Sequence, residues 1–220
     1  MNKKIFSVIL AAVLTASYAQ AQFTFGARAG LNVTNISHTI NGKTTSGEDN
    51  RKFKPGFQIG VVGEYAIIEN LVIQPGLLLS TQGGIYKYSG AGREYKETIS
   101  LSYLQIPVNA QYKIDVGSMS LLFQAGPYFG FAVSGKSKEK IKQDGKTEKT
   151  TESIKFGTGK EDDGIKRGDF GLGFGTGLQF DNIQVGLGYN FGLANIVDLG
   201  NKVVMRNHGL ALTATYFFGK

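Results

Sequence analysis

Three features of this 220-residue chain predict an all-β protein, a transmembrane antiparallel up-and-down β-barrel of about eight strands. Apolar residues recur with period two along most of the chain, which is the spacing of one face of a strand. The apolar side of those segments carries no charge, whereas Arg28, Glu64, Lys113 and Asp169 all fall on the other side. Connections alternate between tight and long, the asymmetry expected of a barrel with turns on one rim and loops on the other.

The composition fits this class. There are 31 glycines, 15 Phe and 10 Tyr against 4 prolines, with no Trp and no Cys. Without disulfides, rigidity must come from the hydrogen-bond network itself, and a closed sheet supplies it. The formal charge of +7 does not indicate nucleic acid, because two of the lysines, Lys3 and Lys4, open the chain and many others crowd one long segment. No basic stripe is interleaved with aromatics.

Residues 1–21 read as a cleaved export signal: basic Lys3 and Lys4, an apolar run from Ile5 to Ala16, and the small-x-small site Ala19-Gln20-Ala21. The run is shorter than the roughly 20 residues of a spanning helix. The mature domain is therefore expected to cover residues 22–220.

The elements follow in order. Phe23, Phe25, Ala27, Ala29, Leu31 and Val33 share one face opposite Thr24, Gly26, Arg28, Gly30 and Asn32. After a polar stretch, Phe57, Ile59, Val61, Gly63 and Tyr65 alternate with Gln58, Gly60 and Glu64. A short turn over 67–70 leads to Leu71, Ile73, Pro75, Leu77 and Leu79, set against Gln74, Gly76, Ser80 and Gln82. Residues 83–97 read as a Gly-rich, charged link. The run 99–114 changes hydrophobic phase near Tyr103, which predicts a β-bulge there. A turn over 115–118 precedes the strand Met119–Val133, and residues 134–168, with no apolar periodicity, read as a long loop. The last three strands are Asp169–Phe180, Ile183–Leu193 and His208–Phe218, the first two joined by Asp181-Asn182, a type I′ hairpin candidate.

Alternation alone does not say whether the apolar face looks inward or outward. The free face is rich in Gly, Gln, Asn, Ser and Thr and poor in Lys and Glu, which suits a narrow lumen better than a wall in water. A lipid-facing Arg or Lys near mid-membrane costs about 2–4 kcal/mol, so the charge-free side is expected to meet hydrocarbon. Since every backbone polar group must be paired there, the terminal strands must close the sheet. Phe23, Tyr65, Tyr112, Phe180 and Tyr216 are placed to form an aromatic girdle at the short-turn end, expected to be periplasmic.

The stretches Phe23–Val33 (FTFGARAGLNV), Tyr103–Tyr112 (YLQIPVNAQY), Gln124–Phe131 (QAGPYFGF) and Gly209–Phe218 (GLALTATYFF) resemble the small outer-membrane β-barrel, or porin-family, domain, related in architecture to the OmpA and OmpX type. The resemblance spans essentially the whole mature chain. It implies the cell outer membrane, contact with outer-membrane lipids, and insertion by the barrel-assembly machinery. Family members of this kind end on an aromatic residue; here Gly219 and Lys220 follow Phe218.

Candidate chemistry is sparse. With no Cys and only His38 and His208, no metal-ligand spacing and no nucleophile–base pair is visible, and no cofactor is expected. His208, near the loop rim, is the one residue around which a lipid-modifying site is conceivable; it would need a Ser and a carboxylate beside it. The glycines from 171 to 177 lack the following helix of a phosphate loop and read as wall-thinning positions. Arg28 and Glu64 are expected to pair inside the lumen, with Lys113 joining glutamines or another carboxylate, because an unpaired buried charge is costly. Lys136, Lys138, Lys140 and Lys142 are the surface-contact candidates, facing lipopolysaccharide phosphates or an external partner. The expected function is a non-enzymatic, monomeric barrel with a structural or surface role. A small passive pore is the alternative, limited by an eight-strand interior that side chains can fill.

Overall fold

The computed structural model describes residues 23–40, 42–45, 50–90, 92–143, 146–157, 164–198 and 203–218. The leader read over residues 1–21 lies outside the described residues. The strands are β1 (Phe23–Ile40), β2 (Lys43–Thr45), β3 (Arg51–Lys52), β4 (Lys54–Ile68), β5 (Leu71–Gly90), β6 (Arg93–Val116), β7 (Met119–Gln143), β8 (Lys146–Ser153), β9 (Gly168–Phe180), β10 (Ile183–Gly192) and β11 (Val203–Phe218).

Eight of them form an antiparallel ring in the order β11-β10-β9-β7-β6-β5-β4-β1, and β1 pairs back to β11 from Phe25↔Phe218 to Ile40↔Val203. That last pairing removes both sheet edges, the closure that hydrocarbon demands. The short β2, β3 and β8 pair with β1, β5 and β7 beyond the ring. The eight ring strands correspond one to one with the eight period-two segments.

Facing follows the alternation. On β1, Phe25, Leu31 and Val33 are exposed at 57, 65 and 42 %, whereas Arg28, Asn32 and Thr34 between them are buried. The same holds around the ring, from Phe57, Ile59 and Val61 on β4 to Leu210, Leu212 and Tyr216 on β11. Apolar side chains left exposed on every strand of the ring, over a buried polar interior, are the reverse of a water-soluble barrel and match a lipid-facing wall. Tyr65, Tyr112, Phe180 and Tyr216 are all outward and exposed near the short-turn rim, where Phe23 pairs with Tyr65 and Tyr216 with Ile183.

Three expectations need correction. Residues 83–97 and 134–168 are not simply loops: β5, β6 and β7 are 20, 24 and 25 residues long, and β8 adds an antiparallel hairpin to β7. About 9–11 residues cross a membrane, so these strands project well beyond the apolar belt. The projection escaped an apolar-periodicity reading because neither of its faces meets lipid.

The irregularity near Tyr103 is real, but β6 keeps its facing throughout. The register shifts between Ser102↔Ser134 and Tyr103↔Ala132, so the extra residue, Val133, belongs to β7. On β6, Leu101, Tyr103 and Gln105 all point in. The hydrophobic phase changes because the environment does: inside the belt apolar residues point to lipid, and above it they point to the barrel axis.

The Asp181-Asn182 connection is a two-residue hairpin, yet among the described non-glycine residues only Asp181 has a positive φ, 47°. Type I′ needs positive φ at both central residues; a positive φ at the first alone is the type II′ pattern.

Candidate functional site

The lumen is filled in layers. Nearest the short-turn rim, Lys113 on β6 donates to both carboxylate oxygens of Glu64 on β4, at 2.8 and 2.9 Å, and to Gln179 Oε1 at 2.8 Å. Gln74 Nε2 donates to Glu64 at 3.2 Å, and Gln74 Oε1 accepts from the Arg28 guanidinium. Arg28 also donates to Thr215 Oγ1 at 2.8 Å and to Gln184 Oε1 at 3.2 Å. From Gln184 the chain of bonds runs to Gln111 and on to Gln124, at 3.2 and 2.8 Å. The structure thus brings Arg28, Glu64 and Lys113 together, but with different wiring from the expected one: the ion pair is Lys113–Glu64, and Arg28 is joined to Glu64 by way of Gln74.

Every strand of the ring supplies a member of this layer, so it ties opposite walls together. It is also a closed one electrostatically, because each charge is bonded to a counter-charge or an amide oxygen. The glutamines that carry it sit on inward positions already visible in the alternation. What the sequence lacked was the across-lumen distance that makes them partners.

Above this layer lies a polar cavity of about 50 Å³, bordered by Arg28, Gln58, Gln105, Asn109 and Gln124. That is room for only a few water molecules. A second layer covers it: Tyr103, Tyr128, Asp169 and Asn207 are at most 4 % exposed, and Asn207 Nδ2 donates to Tyr103 Oη and Asp169 Oδ2, both at 3.1 Å. Gly171 makes room for this layer, since a Cβ there would stand 2.6 Å from the Tyr128 ring and its hydroxyl. An apolar cap follows, in which Ile196 and Val197, from the connection between β10 and β11, pack with Ile36, Leu101, Tyr103 and Ala132.

On the loop rim, a cavity of about 300 Å³ is bordered by Ile36, His38, Arg51, Tyr86, Glu97 and Ile99. Burial, followed by the nearby Arg51 guanidinium, pulls the His38 imidazole down to about 4. His208 faces the outer wall, with the rings of Phe53 and Tyr189 as neighbours at 6.3 and 6.5 Å. Its sheet partners are Asn35 and Phe191, so the Ser and carboxylate of a lipid-modifying site are not among these neighbours.

The projecting sheet β5–β8 segregates its charge. Lys136, Lys138, Lys140 and Lys142 alternate along β7 on the face continuous with the lipid-facing wall. Cross-strand pairing lines up Lys87↔Lys96, Lys96↔Lys140 and Lys140↔Lys149, one row of four lysines over four strands. Glu97 and Glu139 pair with each other on the opposite face, where Glu139 accepts from Tyr95 Oη at 3.2 Å and where Glu148 and Glu152 also fall. Partial burial, then Glu97 and Glu139, push the Tyr95 hydroxyl up to about 12. The signal that could have revealed this sheet is periodicity of charge: lysine at every second residue from 136 to 142.

Among solved structures, the chain is similar to Ail, the attachment invasion locus protein of Yersinia pestis (14 % identity, 90 % of this chain and 99 % of that one, TM-score 0.37). It is similar as well to Neisserial surface protein A (16 %, 89 and 97 %, 0.38) and to OprG from Pseudomonas aeruginosa (10 %, 90 and 97 %, 0.40). No curated protein matches it. Residues 18–198 match the family model described as the outer membrane protein beta-barrel domain. With that match over most of its length, the chain belongs to the outer-membrane β-barrel domain family, which implies the outer membrane as its location.

Proposed function

We propose that this is a sealed, non-enzymatic barrel that acts structurally and through its projecting sheet, rather than as a pore or a lipid-modifying enzyme. In this reading residues 1–21 are removed on export, the barrel-assembly machinery inserts residues 22–220, and the short turns face the periplasm. One copy suffices, because β1 and β11 close the ring within the chain.

The observation that carries the reading is the double closure of the lumen. A hydrated path would have to breach the Arg28–Gln74–Gln184–Gln111 layer and then the Tyr103–Asn207–Asp169 layer, and the space between them is only about 50 Å³. A passive pore finds no support in such an interior. Two polar layers bonded across the axis also give a small barrel a rigid core where it lacks a conventional apolar one.

The test is planar-bilayer recording of the purified protein. A quiet bilayer at moderate voltage, from protein whose gel migration differs before and after boiling, is expected. Steady discrete openings would overturn the sealed-barrel reading. Lipid turnover by the wild type that disappears in His208→Ala would overturn the non-enzymatic part.

A further inference from the structure

The mouth of the barrel, above the apolar cap, carries opposite charges on two facing walls. Its inward row over β3, β5 and β6 is Arg51↔Tyr86↔Glu97, and the next row toward the membrane is Gly84↔Ile99. β1 meets this sheet at Gly84, where a Cβ would lie 3.1 Å from Asn35 Oδ1 and 3.3 Å from the Ile36 nitrogen. That close approach brings Ile36 and His38, the inward positions of β1 after Thr34, against the row, and the Arg51 guanidinium donates to the Ile36 carbonyl at 3.2 Å. These residues border the cavity of about 300 Å³ at the loop rim, the size of a compact small-molecule site. Ile36 and Ile99 also pack in the apolar cap, so the cavity has an oily floor that is the lid of the lumen.

Each wall gathers one sign of charge. On the β1–β3 side, the His38 imidazole lies near enough to the Arg51 guanidinium for the arginine to disfavour the imidazolium. On the β6 side, Glu97 stands directly across from Glu139, and like charges so placed destabilise a sheet. Neutral hydroxyls bond to them: Ser137 Oγ donates to Glu97 at 3.3 Å and Tyr95 Oη to Glu139 at 3.2 Å. Among the described residues neither acid is in an ion pair.

The distance between the walls selects the guest. Arg51 and Glu97 lie two strands apart, about 10 Å between their backbones. A plain anion drawn to Arg51 also meets Glu97, and a plain cation drawn to Glu97 also meets Arg51, so a molecule that suits both walls carries a carboxylate at one end and an ammonium at the other. An extended peptide spans at most about 3.3–3.6 Å per residue; three residues with free termini reach from wall to wall, and a single amino acid does not.

We infer that this cavity is a binding site for short apolar peptides with both termini free, the carboxylate on Arg51 and His38, the ammonium on Glu97, and the side chains on Ile36 and Ile99. The guest rests on the cap and does not pass it, so the site goes beyond the sealed-barrel reading without depending on it.

The experiment uses the whole mature protein in lipid nanodiscs and three probes: the tripeptide alanyl-leucyl-alanine, its N-acetylated form and its C-terminal amide. Calorimetric titration is expected to give a Kd of about 0.1–1 mM for the free tripeptide and at least about tenfold weaker binding for either blocked form, because each loses one charge-assisted contact. Glu97→Gln should bind the free and acetylated tripeptides alike while still preferring both to the amide. Ile99→Phe, which fills the cavity without removing a charge, should bind none of the three; gel migration before and after boiling reports the folding of both variants, and the blocked probes test the site on the unaltered protein. In NMR titration, saturation with the free tripeptide should raise the His38 midpoint from about 4, since a carboxylate beside an imidazole favours its charged form, and the amide should leave it unmoved. Equal binding of all three probes, or no binding of the free tripeptide at about 10 mM, overturns the inference. Wild-type binding by both Glu97→Gln and Ile99→Phe overturns it as well, by placing the peptide elsewhere on the barrel, and a His38 midpoint that ignores the free tripeptide overturns the place given to its carboxylate. None of these outcomes touches the sealed-barrel reading, which fails only on conductance or turnover.

Discussion

Lys113 and Glu64 face each other across the lumen, the ammonium 2.8 and 2.9 Å from the two carboxylate oxygens, and both side chains are nearly buried, at 12 and 5 % exposure. Neither strand neighbours the other in the ring, since β5 lies between β4 and β6. The pair is therefore a strut through the interior rather than a ladder contact. Removing one end leaves the other charge buried, so Glu64→Ala is expected to cost about 3–5 kcal/mol. The Glu64→Ala/Lys113→Ala double variant should lose less than the sum of the two single losses. Denaturant unfolding in detergent, followed by the gel shift between folded and boiled forms, measures both; strictly additive losses would refute the strut.

In the proposed sealed-barrel reading the two polar layers seal independently. Arg28→Ala combined with Gln74→Ala opens the lower layer only, and bilayers containing that variant should stay quiet. Conductance is expected once Tyr103→Ala and Tyr128→Ala are added. Openings from the lower-layer variant alone would mean that the Tyr103–Asn207–Asp169 layer is permeable.

Gly171 is the position where the wall must thin for Tyr128. A Cβ there would stand 2.4 Å from the Phe191 carbonyl oxygen and 2.6 Å from the Tyr128 ring and hydroxyl, so both the neighbouring β10 backbone and the tyrosine have to shift, and Gly171→Ala is expected to cost about 1–3 kcal/mol, in the range of overpacked cores. The midpoint of thermal gel-shift loss reads it, and an unchanged midpoint would show that the wall and Tyr128 give way together without cost.

Asp181 holds its positive φ of 47° in the tightest connection of the last hairpin. Asp181→Gly should be neutral or mildly stabilising, whereas Asp181→Val should lose about 1–3 kcal/mol because a β-branched residue resists that region. The same unfolding assay distinguishes them; identical behaviour of the two variants would mean that the turn rearranges.

His38 is disfavoured in its charged form, with its imidazole lowered to about 4 from an ordinary 6.5. Because the unfolded chain takes up a proton first, the stability contributed by the neutral ring is complete above pH 6.5. It falls as pH drops from about 6.5 toward 4 and levels off below. NMR titration of the His38 ring should show a midpoint near 4, and His38→Asn should flatten the pH dependence of stability in that window. A midpoint near 6.5 would contradict the burial of the ring at the loop rim.

Much of the fold was legible because a membrane barrel writes its facing into the sequence. Leu31 and Arg28 could be assigned to opposite sides of β1 from alternation, since hydrocarbon outside and a narrow lumen inside tolerate different residues at every step. The projecting sheet was not legible the same way. Lys138 and Glu139 differ in sign rather than in polarity, so a reading tuned to apolar periodicity sees a loop where β7 continues for ten residues past Val133. The phase change near Tyr103 was visible, but its cause was not, because an apolar residue turned toward the axis above the belt looks in sequence like a strand that has flipped.

The candidate site divides along the same line. That Arg28, Glu64 and Lys113 are inward charges in need of partners followed from the one-dimensional pattern and the cost of burying charge. Which partner each takes is set by how far the ring staggers its strands, so that Lys113 reaches Glu64 past an intervening strand and Arg28 is hydrogen-bonded toward it by way of Gln74. Likewise, the chain order has Lys87, Lys96, Lys140 and Lys149 as scattered lysines, the first and last of them 62 residues apart. Only hydrogen-bonded register, a property of paired strands rather than of any one segment, places them side by side.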